Sequence, residues 1–95
     1  MFTNPRYATR GVTTTVPLIL QIILWNLIDS MEVAEKDYLQ VFRLSYESGK
    51  QKITHSQEQP DYCKEYLFPS EEPITAKIFV IDDETHTTML LAEEY

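Results

Sequence analysis

Between Val16 and Ala34 the apolar residues recur at helical spacing. At about 100° per residue, Val16, Leu20, Ile23, Leu24, Leu27 and Met31 fall within one arc, the stripe that a surface helix turns towards a core. Thr15 stands as an N-cap, with Pro17 in the first turn, where a missing N–H is no loss. The spacing predicts one long helix over 16–34. Its far side carries a second apolar stripe, Leu18, Ile22 and Trp25, followed by Asp29, so the helix is expected to be covered on two sides.

The rest of the chain reads as strands and turns. Arg6-Tyr7-Ala8-Thr9 has the character of a short edge strand, closed by Gly11 and the Thr13-Thr14-Thr15 run. From Tyr38 to Tyr46 the pattern is β-rich; Glu47-Ser48-Gly49-Lys50 is a turn, and residues 51–57 form a more polar return strand, which makes a hairpin. Pro60 ends it. Residues 61–73 read as a loop, one that carries Tyr62, Tyr66, Leu67 and Phe68 and is therefore expected to cover an edge or end of the sheet. Ile74 to Ile81 is the strongest strand, with Ile74, Ala76, Ile78 and Val80 on one face and Thr75, Lys77, Phe79 and Ile81 on the other. Asp82 to Thr85 turn the chain back into residues 87–92, completing a second hairpin before an acidic end. The expected class is α+β: one long helix packed on an antiparallel sheet built from two hairpins, with a short amino-terminal strand. Phe79 and Ile81 are left needing an explanation on the other sheet face.

Composition narrows the function. Ninety-five residues make one domain, 1–95, and 43% hydrophobic with 24% charged residues is the mix of a folding chain. The run from Val16 to Ile28 is too short to span a bilayer, which takes about 20 apolar residues, so no membrane is expected. Eight Lys plus Arg against fifteen Asp plus Glu give a net charge of −7, which disfavours nucleic acid as a partner. Arg6 and Arg10, beside Tyr7, are too few to reverse that. A single cysteine, Cys63, excludes an internal disulfide and points to the cytoplasm. Asp82, Asp83, Glu84, Glu93 and Glu94 crowd the end of the chain, as a solubilising surface or one that meets a basic partner.

Few constellations carry chemistry. Cys63 lies eight residues after His55, across Pro60, so a turn that brought them together, with Asp61 orienting the imidazole, would make a nucleophilic site. Asp82, Asp83, Glu84 and His86 are four potential metal ligands at a spacing that fits neither a calcium loop nor a zinc pattern; aspartates there are better explained as turn formers. Neither glycine belongs to a phosphate-binding loop, and no cofactor is expected. Protein recognition remains. Tryptophan is enriched at interface hot spots, which makes Leu18, Ile22 and Trp25 the candidate partner-binding residues, for an unidentified protein partner or a homodimer. The expected function is a non-enzymatic binding or regulatory module. The alternatives are a small enzyme using Cys63 with His55 and an acidic inhibitor that mimics nucleic acid.

The segments Arg6-Tyr7-Ala8-Thr9-Arg10-Gly11-Val12, Tyr38-Leu39-Gln40-Val41-Phe42 and Lys77-Ile78-Phe79-Val80-Ile81-Asp82-Asp83 resemble an uncharacterised family of small bacterial proteins, defined only as a domain of unknown function. The closing run Thr88-Met89-Leu90-Leu91-Ala92-Glu93-Glu94-Tyr95 is similar to that family's ending, so the resemblance spans essentially the whole chain. It implies a stand-alone bacterial cytoplasmic protein and brings no activity, cofactor, partner or catalytic residue.

Overall fold

The computed structural model describes residues 2–95. Strand β1 (Arg6–Ala8) leads into helix α1 (Arg10–Thr15) and helix α2 (Leu18–Asp29). Strands β2 (Leu39–Glu47), β3 (Lys50–Gln57), β4 (Tyr62–Pro69), β5 (Ala76–Asp82) and β6 (Thr87–Leu91) follow, then a 3-10 turn over Ala92–Glu94. Among the described residues the strands form one six-stranded sheet in the order β1-β6-β5-β2-β3-β4. It is mixed: β1 runs parallel to β6, and the other pairs are antiparallel.

The expected α+β arrangement of one long helix on two hairpins is therefore corrected. Strand accounts for 43% of the structure and helix for 22%, in short pieces. Pro17 is the physical reason for the break. A residue before proline is pushed out of the helical region, and Val16 takes φ −104°, ψ 121°, ending α1 and turning the chain before α2 begins. The Thr13–Thr15 run is helical because its hydroxyls bond back onto the preceding turn. Thr14 Oγ1 donates to the Arg10 carbonyl at 2.9 Å, and Thr9 caps the start by accepting from the Val12 N–H. Thr15 is thus inside α1 rather than capping the later helix. Beyond Asp29 the chain is irregular up to β2, although Met31 is buried.

Residues 62–69, expected as loop, form a strand paired with β3 along its whole length. Tyr62, Tyr66 and Phe68 recur at even positions and share the side of β3 that carries Gln51, Ile53 and Gln57. The two expected hairpins are present as β2–β3 and β5–β6, joined through the β2–β5 pair.

Burial alternates along β2, β3, β5 and β6, so one face of the sheet is covered and the other is open. On the covered face Phe42, Leu44, Ile53, Ile78, Val80, Met89 and Leu91 pack with Val12, Val16, Leu20, Leu24, Leu27 and Ile28 of the helices. Phe2 joins this core and is pinned there: Asp82 accepts its N–H at 2.7 Å as well as the Asn4 side-chain amide and the Glu84 N–H. Burial alone would raise the Asp82 pKa, but these three donors outweigh it and hold the carboxyl below its ordinary value.

At the other end, Glu94 accepts from Thr9 Oγ1 and the Leu91 N–H, placing a carboxylate at the start of α1, where it complements the helix dipole. Gly11 permits that approach, since a Cβ there would stand 2.6 Å from the Glu94 carboxylate.

Leu24, fully buried, and Leu18, 70% exposed, are six residues apart on one helix and should differ accordingly. Leu24→Ala is expected to lower the unfolding free energy by about 2–5 kcal/mol, and Leu18→Ala to change it by less than about 0.5 kcal/mol, measured by urea denaturation.

Candidate functional site

The stripe Leu18, Ile22 and Trp25 is divided by the fold. Trp25 packs against the core, and the Arg6 guanidinium lies over its ring, 4.9 Å from the centroid. Arg6 is held there by a two-pronged pair with Asp29, one contact being 3.1 Å, and by the Phe2 carbonyl. The Arg6 hydrogen bonds to its carboxylate, with the charges of Arg6 and Lys36, hold the Asp29 pKa below its ordinary value against a smaller rise from burial. Leu18 and Ile22, by contrast, are 70% and 45% exposed, and Ile19 beside them is 67% exposed. The three form a continuous apolar surface on the first turns of α2.

That surface borders a groove between α2 and the edge strand β4. A cavity of about 140 Å³ opens there, lined among others by Ile19, Leu20, Ile23 and Phe68. Further along, a more open hollow of about 480 Å³ runs between Phe68 and Ile23, Asn26, Leu27 and Ser30. Ile19 and Phe68 were not among the candidates. Ile19 stands adjacent to the Leu18–Ile22 stripe on the helical wheel, and that adjacency was the available signal.

The residues of the catalytic alternative, Cys63 and His55, are not brought together. Cys63 pairs with Ser56 and is exposed, whereas His55 is one register position away, on the covered face and fully buried. His55 stacks on Phe42 at 4.3 Å, and the edge of Tyr62 meets it at 5.3 Å. Its Nε2 lies 2.7 Å from Gln40 Oε1, while Gln40 Nε2 donates to the Asp37 carbonyl and to Gln57 Oε1. Since Gln40 offers an oxygen, Nε2 must carry the proton; Nδ1 is then a bare lone pair, buried without a partner. Gln57 continues the chain of amides by accepting from the Asp37 N–H and donating to the Glu35 and Pro60 carbonyls. The hollow of about 670 Å³ at this rim is lined by the same segments, including Glu35, Asp37, Gln59 and Pro60.

Asp82 to His86 form a turn. Asp83 Oδ1 accepts from the Thr85 and His86 N–H groups and from Thr85 Oγ1, and His86 Nε2 meets Asp83 Oδ2 at 3.1 Å. With Asp82 engaged by Phe2 and Asn4, these carboxylates serve the fold. Among the described residues, no group of three His, Cys, Asp or Glu side chains gathers in a metal-holding arrangement.

On the open face of the sheet, Arg43 and Lys77 stand directly opposite each other on β2 and β5. Like charges in that position work against strand pairing. Lys52, on the same face, pairs with Glu65 at 2.9 Å. Next to this basic row lie Val41 and Phe79, then Leu39 and Ile81, all partly exposed, with Tyr95 edge-on to Phe79 at 5.5 Å.

Comparison with known proteins agrees with the fold and adds no chemistry. The model of a family described as "Staphylococcal protein of unknown function (DUF960)" matches residues 5–94. The chain is also similar to a crystal structure of a protein of unknown function from Enterococcus faecalis, at 29% sequence identity and a TM-score of 0.86. That likeness covers 97% of this chain and 91% of that one. No curated protein matches. No helix among the described residues is long and apolar enough to cross a membrane.

Burial holds the His55 pKa down, from 6.5 to about 4. The unfolded chain therefore takes up a proton that the folded chain refuses, so this contribution to stability is complete above about pH 6.5 and is lost as the pH falls towards 4. Between pH 7 and pH 5 the loss should be about 2 kcal/mol, read from urea unfolding at each pH. His55→Gln keeps an N–H for Gln40 and cannot titrate there, and should remove most of that dependence. A double-mutant cycle of Arg6→Ala with Trp25→Ala should return a coupling of about 0.5–1 kcal/mol, the value of a partly exposed cation–π contact.

Proposed function

This chain belongs to the staphylococcal family of proteins of unknown function, and within it we propose a protein-binding module that acts without catalysis. The reading rests on one observation: Leu18, Ile19 and Ile22 are exposed side by side on α2, next to an apolar groove along β4. Scattered exposed apolar residues are ordinary, whereas a contiguous patch beside a groove marks an interaction site. Trp25 contributes from beneath, by fixing α2 through Arg6 and Asp29, with its ring only partly available. The simplest occupant is a second copy, with α2 meeting α2 across a two-fold axis, because a self-complementary apolar patch closes in that way. The lone Cys63 and the bacterial family support the cytoplasm as the place of action.

The catalytic alternative has less support, because Cys63 and His55 lie on opposite faces of the sheet and the His55 imidazole is committed to Gln40. An acidic mimic of nucleic acid is supported by the net charge alone.

Sedimentation equilibrium tests the reading directly. The unaltered chain is expected to associate, and Ile22→Glu to weaken association by at least about 2 kcal/mol, the scale of an interface hot spot, with unchanged thermal unfolding. A chain that stays monomeric at high concentration would transfer the patch to a different protein partner. Retention of every association by Ile22→Glu would overturn the reading.

A further inference from the structure

The open face of the sheet is a second surface, separate from α2, and we propose that it binds an acidic segment of another protein in which a carboxylate is followed, two residues on, by a large apolar side chain. The register sets Lys77, Arg43, Thr54 and Glu65 in one row across β5, β2, β3 and β4. Lys52 and Lys50 extend the basic ground on the same face of β3, so four of the eight Lys and Arg residues lie here in a chain of net charge −7. Of the acids on this face, Glu65 is taken by Lys52, Glu47 stands opposite Lys50 at the strand end, and Asp37, which accepts from the Leu39 and Gln59 N–H groups, lines with Glu58 a hollow shared with Leu39, Val41 and Arg43. Among the described residues neither Arg43 nor Lys77 has an ion-pair partner; both are exposed, and the Lys77 ammonium leans over the Phe79 ring, 5.4 Å from its centroid.

Two cations facing one another across adjacent strands are unfavourable until an anion joins them. An incoming carboxylate would do so, and the charge complementarity selects an acidic partner. Two residues along each strand, about 6.8 Å away, the row becomes Phe79 and Val41, with Leu90 opposite Phe79 on β6 and with Ile81 and Leu39 in the next row. An extended segment repeats its side chains at the same distance. A carboxylate over Arg43 and Lys77 therefore sets an apolar side chain two positions later over Val41 and Phe79. A short segment with few carboxylates meets less of the overall repulsion than a nucleic acid, which carries a phosphate at every nucleotide.

Fluorescence anisotropy with a short labelled peptide of the pattern Glu-Ser-Leu-Ser-Leu, its glutamine counterpart and a single-stranded RNA of the same length tests the proposal on the intact chain. The glutamate peptide is expected to bind, to weaken as salt is added, and to shift the backbone amide resonances of Arg43, Lys77, Val41 and Phe79; the glutamine peptide is not. Arg43→Glu with Lys77→Glu should weaken binding about tenfold, whereas Arg10→Glu with Lys36→Glu, which changes the net charge equally, should not. If the reversed pair fails to fold by thermal unfolding, Arg43→Gln with Lys77→Gln carries the test. Ile22→Glu should leave this binding intact, which separates its fate from that of the α2 surface. Failure of the glutamate peptide to bind, equal weakening by the Arg10 and Lys36 changes, resonance shifts elsewhere, or tighter binding of the RNA would each overturn it.

Discussion

Buried glutamine amides hold this structure's irregular backbone in place. A primary amide offers two donors and an oxygen with two lone pairs, enough to complete a stretch of chain that has left its helix or sheet. Gln21 donates to the Val16 carbonyl, left over where Pro17 interrupts the helices. Gln51 exchanges both partners with the Ile74 backbone and donates to the Ser45 carbonyl, anchoring the approach to β5 on β3. Gln40 and Gln57 together satisfy the segment from Glu35 to Asp37 and the turn at Pro60. Each of these glutamines is buried, and each would be costly if unpaired, so the connections can take only the paths that pair them. A chain with two short helices and long crossings between strands depends on this where regular ladders cannot serve.

The same constraint accounts for the inertness of His55. Its one hydrogen bond is to the last free oxygen of the amide chain, and its other nitrogen faces no donor. Protonation would bury a charge with nothing to receive the new N–H, so the ring stays neutral as an aromatic spacer between Phe42 and Tyr62. Outside the amide network lie the exposed first turns of α2 on one side and the open sheet face on the other.

Much of the sheet was legible. The two hairpins follow from turn chemistry and alternation, and the core stripe from Leu20 to Leu27 follows from helical period; both are local signals. Three features were hidden for distinct reasons. The break at Pro17 competes with its favourable use in a first helical turn, and only the extended Val16 shows which effect won. Strand β4 has a period of two in Tyr62, Tyr66 and Phe68, but Lys64 interrupts it and the surrounding prolines and acids read as loop. On β3, Gln51, His55 and Gln57 make the return strand read as polar, although they point inwards with Ile53. Polarity in sequence signals exposure only when no buried backbone needs a partner. Strand β1 is legible as the short edge strand at Arg6–Ala8, whereas its parallel pairing with β6 is non-local and leaves no local trace. For the candidate site, Leu18 and Ile22 were readable as a stripe, whereas the withdrawal of Trp25 depends on Arg6 and Asp29 meeting from distant positions.

The distribution of acids follows from the same economy of backbone partners. Asp82 gathers the Phe2 N–H and the β5–β6 turn, Asp83 closes that turn, Glu94 caps α1, Asp37 accepts from Leu39 and Gln59, and Asp29 secures Arg6 over Trp25. These carboxylates are placed by the local geometry each completes, and that geometry imposes no common spacing on them. A net charge of −7 is thus in part the sum of separate caps and turns. The basic residues show a different arrangement. Arg43 and Lys77 complete no cap and stand where they oppose the pairing of their own strands. In a fold many of whose acids have intramolecular work, this pair stands against its own strands with no ion-pair partner among the described residues, and that position is the ground for proposing an external anion.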